Sequence, residues 1–298
     1  MKSEKLTIDI FMKHPGFPVA AVPFSFREPG EPNYTFIPHY HDFQELVIIV
    51  SGSGIQLING TRCAVSAGDV FLLQGQDEHC FTEASPSLRL CNILYDADRL
   101  PLPQEYFRKL RNYNLIFRVE PALRRGGRFP SFTHLDGGEL DELEKLITQL
   151  SRILDAGAEG FEAEGVVLLS RMILLLSRDR AAQKGIHGTM IDGINQVISM
   201  MEKNFTRRYT VAELARHIHT SPRNFSRLFH RVTSCGPIEY LLKIRLRHGA
   251  ALLSDTAGSC ADIAAETGFA DSNYFSRKFS EQYGLSPREY RKYYRGKR

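Results

Sequence analysis

The sequence predicts a multidomain α+β chain: an N-terminal β-barrel, a helical segment, and a C-terminal all-α region of tandem helix-turn-helix units. Three observations predict it. Short β-type runs separated by turn signals occupy residues 43–95, apolar residues then recur at helical spacing, and the C-terminal region repeats itself with an offset of 50. The expected boundaries are 1–100 for the barrel, 101–184 for the helical segment and 185–298 for the repeated region.

The barrel rests on local punctuation. Prolines 18, 23, 29, 32 and 38 exclude a helix from the approach. Glu45 to Val50 reads as a strand, Ser51-Gly52-Ser53-Gly54 turns it, and Ile55 to Ile58 follows. Asn59-Gly60 is a strong hairpin signal, Thr61 to Val65 returns, Ala67-Gly68-Asp69 turns again, and Val70 to Leu73 makes a further strand. Short strands at such close spacing form a sandwich or small barrel.

Beyond residue 100, Leu140, Leu143, Ile147, Leu150 and Leu154 form one helical stripe with charged residues between them. That stripe can pack on the barrel or on a second subunit, and the helix from Glu139 to Asp155 is the expected dimer element. A second helix, Phe161 to Arg180, is apolar on most faces and therefore buried. Lys184 to Thr189 reads as a linker.

In the repeat, Phe225, Ser226-Arg227, Phe229, Pro237 and Glu239-Tyr240 match Phe275, Ser276-Arg277, Phe279, Pro287 and Glu289-Tyr290; Ala215 is matched with Ala265. Each copy reads as helix, tight turn, helix. Thr210 caps Val211 to Ala215 with Glu213 at the reciprocal position, Ser221-Pro222 opens the next helix, and Asp271 caps Ser272 to Gln282. Phe225, Leu228, Phe229 and Val232 make the core face of the second helix in copy one. In copy two, either Tyr274 or Phe275, either Lys278 or Phe279, and Tyr283 follow the same geometry. Arg223, Asn224, Ser226 and Arg227, and Ser272, Asn273, Ser276 and Arg277, are left to face outward. Arginine can pair with guanine, asparagine with adenine, and serine with base or phosphate, so these eight are the candidate readers of double-stranded DNA. A basic helix, Ile238 to Arg247, joins the copies and would hold the two readers about one DNA turn (~34 Å) apart. Its Lys243, Arg245 and Arg247, with the tail Arg291, Lys292, Arg295, Lys297 and Arg298, are expected on phosphates.

Charge agrees with this division. Residues 190–298 carry 18 Lys and Arg against 10 Asp and Glu, a balance of +8, while residues 1–189 carry 20 against 24, a balance of −4. Only the C-terminal part is suited to a polyanion. No apolar run approaches the roughly 18 residues a membrane span needs, and Met1 to Lys5 mixes charges without an apolar stretch. Five cysteines without a C-x-x-C pair imply reduced thiols rather than disulfides or zinc. A cytoplasmic location, with no membrane partner, is therefore expected.

Ile263-Ala264-x-x-x-Gly268-Phe269, Tyr274-Phe275-Ser276-Arg277-x-Phe279 and Tyr283-Gly284-x-Ser286-Pro287-x-Glu289-Tyr290-Arg291 resemble the signature of the AraC/XylS family of bacterial regulators. The resemblance implies two helix-turn-helix subdomains on one connecting helix, promoter DNA as partner, and activation through contact with RNA polymerase. Copy one departs from the pattern at Cys235-Gly236-Pro237, where the family more often has Gly-x-Ser-Pro.

The row His39-Tyr40-His41-Asp42-Phe43-Gln44-Glu45, with Gly52 beyond it, resembles the first motif of the cupin barrel, and Gly68-Asp69 with His79 resembles the second. His39, His41 and Glu45 share parity, so a continuous strand would put them on one face. Gathered with His79 they would suit a divalent metal, which makes a metal-dependent dioxygenase or isomerase the rival reading. Sensor barrels joined to such DNA-binding pairs generally take a small molecule, often a sugar, so a regulator that is not an enzyme and needs no cofactor or metal is expected. The effector would meet His39, His41, Phe43, Glu45 and His79, with Phe43, Phe71 or Phe81 stacking on a sugar face. Simple strand-end packing of His39 and His41 is a third reading. Within the family, His41 to Ile48 through Asn59-Gly60, and Asn92 to Tyr95, are similar to the L-rhamnose operon regulators.

Overall fold

The computed structural model describes residues 4–25, 34–121, 133–178, 190–233 and 235–295. The chain divides into two compact units, Met1–Thr189 and Met190–Arg298. The expected linker from Lys184 to Thr189, and Lys297 and Arg298 of the tail, lie outside the described residues.

The first unit is built on two five-stranded sheets. Strands β1 (Glu4–Leu6), β3 (His39–His41), β8 (His79–Ala84), β5 (Ser53–Ile58) and β6 (Thr61–Ser66) form one, in the order β1-β3-β8-β5-β6. Strands β10 (Thr133–His134), β7 (Asp69–Gln74), β4 (Gln44–Ser51), β9 (Arg89–Tyr95) and β2 (Val19–Ser25) form the other, in the order β10-β7-β4-β9-β2. The proline-rich approach thus contains a strand that the sequence reading did not anticipate. Pro23 is tolerated because β2 is an edge strand, where a missing N–H breaks no ladder on its free side. Asn59 and Gly60 both have positive φ, 49° and 76°, as a tight two-residue hairpin requires. Gly52, at φ 75°, turns β4 into β5 so close to another strand connection that a Cβ there would lie 2.5 Å from the Leu88 nitrogen.

The unbroken apolar run Leu46-Val47-Ile48-Ile49 is explained by burial on both faces of β4. Val47 and Ile49 point between the sheets, against Ile58, Val65, Phe71, Leu73, Phe81 and Leu90. Leu46 and Ile48 point outward and are covered by helices α3 (Gly137–Ala156) and α4 (Phe161–Leu176). Two short helices, α1 (Gln104–Phe107) and α2 (Arg111–Asn114), complete this layer and contribute Phe107 to the same cluster.

This arrangement corrects one expectation. The stripe Leu143, Ile147, Leu150 and Leu154 of α3, with Leu140 partly buried beside it, packs on α4 and the outer face of the second sheet, within the chain. Leu143 and Leu150 are completely buried there, so the stripe is not a free surface for pairing subunits. The described helices between residues 101 and 178 share one core with the barrel.

The second unit consists of helices α5 (Met190–Lys203), α6 (Val211–His217), α7 (Pro222–Thr233), α8 (Pro237–Asp255), α9 (Cys260–Glu266), α10 (Ser272–Tyr283) and α11 (Pro287–Arg295). Among the described residues, no helix is long and apolar enough to cross a membrane.

Candidate nucleic-acid interface and sensor site

The repeat folds as a pair of helix-turn-helix units, α6–α7 and α9–α10, on the common helix α8. Thr210 accepts a hydrogen bond from the Glu213 N–H, and Asp271 accepts from the N–H groups of Asn273 and Tyr274, as their N-cap positions require. A third cap, at Ser259, escaped the sequence reading; there Asp262 makes the reciprocal bond to the Ser259 N–H, whereas Glu213, expected in that role at Thr210, pairs with Arg207. Gly236 caps α8, with Pro237 in its first turn, so the Cys235 departure leaves the helix start intact.

The two copies are offset by 49 residues in the first helix and by 50 in the second. The α6 turn ends at His219 (φ 53°) with Thr220 N–H bonded to Ala215 O, and the α9 turn ends at Gly268 (φ 84°) with Phe269 N–H bonded to Ala264 O. One residue separates His219 from the Ser221 position that opens α7, and two separate Gly268 from Asp271. The buried counterpart of Ala215 is therefore Ala264, and Ala265 is exposed, contrary to the simple offset.

The second helices keep the two-faced pattern. Phe225 and Phe229 in α7, and Phe275 and Phe279 in α10, are all completely buried. Tyr274 is 40% exposed, which settles the choice between it and Phe275. Arg223, Arg227, Asn273 and Arg277 are exposed, while Asn224, Ser226, Ser272 and Ser276 are half-buried on the same sides. The residue three places before the later arginine steadies it in both copies. Arg227 donates to Asn224 Oδ1 at 2.9 Å, and the Arg277 guanidinium lies 5.4 Å from the centre of the Tyr274 ring. Tyr274 was missed as a surface residue; the match of Phe225 to Phe275 was the signal that could have found it.

Three of the residues assigned to phosphates do structural work instead. Arg245 of α8 donates to the carbonyls of Phe205 (2.8 Å), Gly268 (2.8 Å), Thr206 (3.1 Å) and Arg207 (3.0 Å), which ties the α5–α6 connection to the turn of the second copy. Gly268 lies so close that a Cβ would come 2.9 Å from the Thr206 Cα. Arg247 pairs at 2.6 Å with the buried Glu202, which also accepts from the Tyr240 hydroxyl. Arg291 donates to the Gly258 carbonyl. Lys243 is exposed and paired with Glu239, and Lys292 is exposed.

In the first unit, His39, His41, Glu45 and His79 are all buried. They do not share one strand. The chain leaves the first sheet after His41 and enters the second at Gln44, so the parity argument fails in its premise. They meet because the sheets face each other: His39 pairs with His79 across β3 and β8, and Glu45 reaches in from β4. Ligand atoms of His39, Glu45 and His79 lie within 4.8 Å of one another. His41 Nε2 is 2.8 Å from Glu45 Oε2, and His79 Nε2 is 3.2 Å from the same oxygen. Asn92 Nδ2 donates to Glu45 Oε1.

Electrostatics follows from this packing. Burial, with the neighbouring His79, pushes His39 down to about 4, so its ring is neutral near pH 7. Burial alone would raise Glu45 and lower His79, but their mutual attraction outweighs it, holding the carboxyl well below its usual range and the imidazole above its own. Phe43 stacks on His41 with ring centres 4.2 Å apart, and Phe71 and Phe81 are buried between the sheets. None of the three has the open face expected for stacking on a sugar. Two interior polar residues were missed: Gln56 Oε1 and Asn92 Oδ1 are buried without a hydrogen-bond partner. Gln56 shares strand parity with the core residue Ile58, and a polar side chain at that parity was the available signal.

Comparison with known proteins agrees with both halves. Residues 22–107 match the AraC-like ligand binding domain and residues 214–293 a helix-turn-helix domain. The HTH-type transcriptional activator RhaS of Escherichia fergusonii is 31% identical over 264 residues, 89% of this chain and 90% of that protein. RhaR of Yersinia pseudotuberculosis, described in the same words, is 30% identical over 265 residues, 87% of this chain and 86% of that protein. The DNA-binding domain of AdpA, solved with a target DNA, is 27% identical with a TM-score of 0.35, covering 36% of this chain and 96% of that one. With a ligand-binding β-domain ahead of two helix-turn-helix units, this chain belongs to the AraC family of DNA-binding transcription regulators.

Proposed function

We propose that the protein is a sugar-responsive activator that binds double-stranded promoter DNA as a homodimer in the cytoplasm and contacts RNA polymerase there. The observation that carries the DNA reading is the recurrence, in α7 and α10, of a buried Phe pair behind a polar face with a steadied arginine. Arg223, Asn224, Ser226 and Arg227, with Ser272, Asn273, Ser276 and Arg277, read bases in two successive major-groove segments. Arg227→Ala and Arg277→Ala are each expected to lower discrimination between operator and random DNA by about 1–3 kcal/mol in competition binding. Equal losses on both DNAs would assign these arginines to phosphates and overturn the base-reading role.

The effector is a hydroxyl-rich small molecule, and L-rhamnose or a related sugar is favoured by the resemblance to the L-rhamnose operon regulators. His39, His41, Glu45 and His79, with Gln56 and Asn92, supply buried donors and acceptors; Phe43 shapes the site through His41. Buried polar atoms without partners are costly, and a polyhydroxyl ligand would satisfy them. Addition of the effector is expected to raise the melting temperature of the protein. A panel of hexoses and deoxyhexoses without any shift would remove the sugar assignment.

A further inference from the structure

We propose that His39, Glu45 and His79 form a binding site for one divalent first-row transition-metal ion of the zinc or nickel type, held between the two sheets of the sensor. The argument starts from the ring nitrogens. His39 Nδ1 is 2.7 Å from the Ile37 carbonyl, His41 Nδ1 is 2.9 Å from the Phe43 carbonyl, and His79 Nδ1 is 2.9 Å from the Asp77 carbonyl. A carbonyl oxygen only accepts, so each Nδ1 carries a hydrogen and each Nε2 is left to face the cluster. The backbone thereby orients all three rings; His41 Nε2 then donates to the Glu45 carboxylate, 2.8 Å away, while His39 and His79 keep Nε2 for an ion. That is how metal-bound histidines are oriented, through a hydrogen bond from the other ring nitrogen.

The rest of the donor set agrees. Glu45 is 4% exposed and turns Oε2 toward His41 and His79, while Oε1 is held by Asn92, the outer support a ligating carboxylate needs. His79 Nε2 is buried and faces the cluster, 3.2 Å from Glu45 Oε2. Two imidazoles and a carboxylate within 4.8 Å suit a borderline metal better than magnesium or calcium, which prefer oxygen alone. His41, bonded to Glu45 Oε2, positions the carboxylate. Because β3 and β8 belong to one sheet and β4 to the other, the ion would clip the sheets together and stabilise the sensor. The proposal does not depend on the sugar reading, and its test contains no sugar.

Untagged full-length protein, stripped with a chelator and dialysed, would be titrated with cobalt(II) and then with zinc. The expected result is one ion per chain, a visible cobalt absorption that zinc abolishes, and a higher melting temperature with metal. His79→Ala should weaken binding by more than the roughly 10–100-fold that loss of an outer partner costs, and Asn92→Ala by about that amount. His134→Ala, on an exposed pair with Asp69, serves as the control and should bind normally. Absence of saturable binding, or unchanged affinity in a folded His79→Ala, would overturn the proposal. Should His79→Ala fail to fold, X-ray absorption of the zinc-loaded native protein decides: imidazole and oxygen scattering supports the site, and sulfur ligation overturns it.

Discussion

Replacing Leu143 and Leu150 together by aspartate is expected to unfold the first unit, not to separate two subunits. Both side chains are completely buried among α3, α4 and the outer face of the second sheet. Each change removes a core leucine, which costs about 2–5 kcal/mol, and adds a carboxylate with no partner, which costs several more. The sum rivals the whole stability of a domain, about 5–15 kcal/mol. Calorimetry should show the sensor transition abolished. A folded, monomeric double variant would instead return the stripe to the subunit interface, against the packing found here.

Arg245→Ala is expected to cost about 3–6 kcal/mol in the second unit: the part-buried bonds to Phe205 and Gly268 contribute roughly 1.5–3 kcal/mol each, while water replaces the exposed ones to Thr206 and Arg207. DNA binding should fall with stability, since the clamp joins the α5–α6 connection to the turn ahead of α10. Arg245→Lys should not rescue, as an ammonium cannot reproduce the planar fork. A phosphate-binding arginine behaves differently: its loss leaves the melting temperature unchanged and reduces the salt dependence of binding by about one ion. Denaturation and salt titration of the same variants separate the two roles.

Much of the DNA-reading half was legible because its signals are local. Thr210, Ser221-Pro222 and Asp271 mark helix starts through bonds to the next few N–H groups. The spacing of Phe225 and Phe229 names the inner face without reference to any neighbour. The extra residue between Gly268 and Asp271 was not legible, since it changes neither composition nor periodicity. The basic residues of α8 misled for a related reason. A row of Arg and Lys looks the same whether it meets phosphates or, as with Arg245 and Arg247, carbonyls and a buried carboxylate of the same unit.

The sensor shows the other limit. Its strand runs and the Asn59-Gly60 turn could be read directly, and the His/Glu row was a correct list of interior residues reached through a strand that in fact breaks at Asp42–Phe43. Periodicity states which way a side chain leaves its own strand or helix. It carries no information about what lies opposite. By itself, the sequence determined most barrel strands, the helices of the repeat with the inward face of α7, and the division into sensor and reader. Only the tertiary structure decided that α3 covers the barrel and that Glu45 crosses from one sheet to His39 and His79 on the other, because those distances are set by packing between segments far apart in the chain.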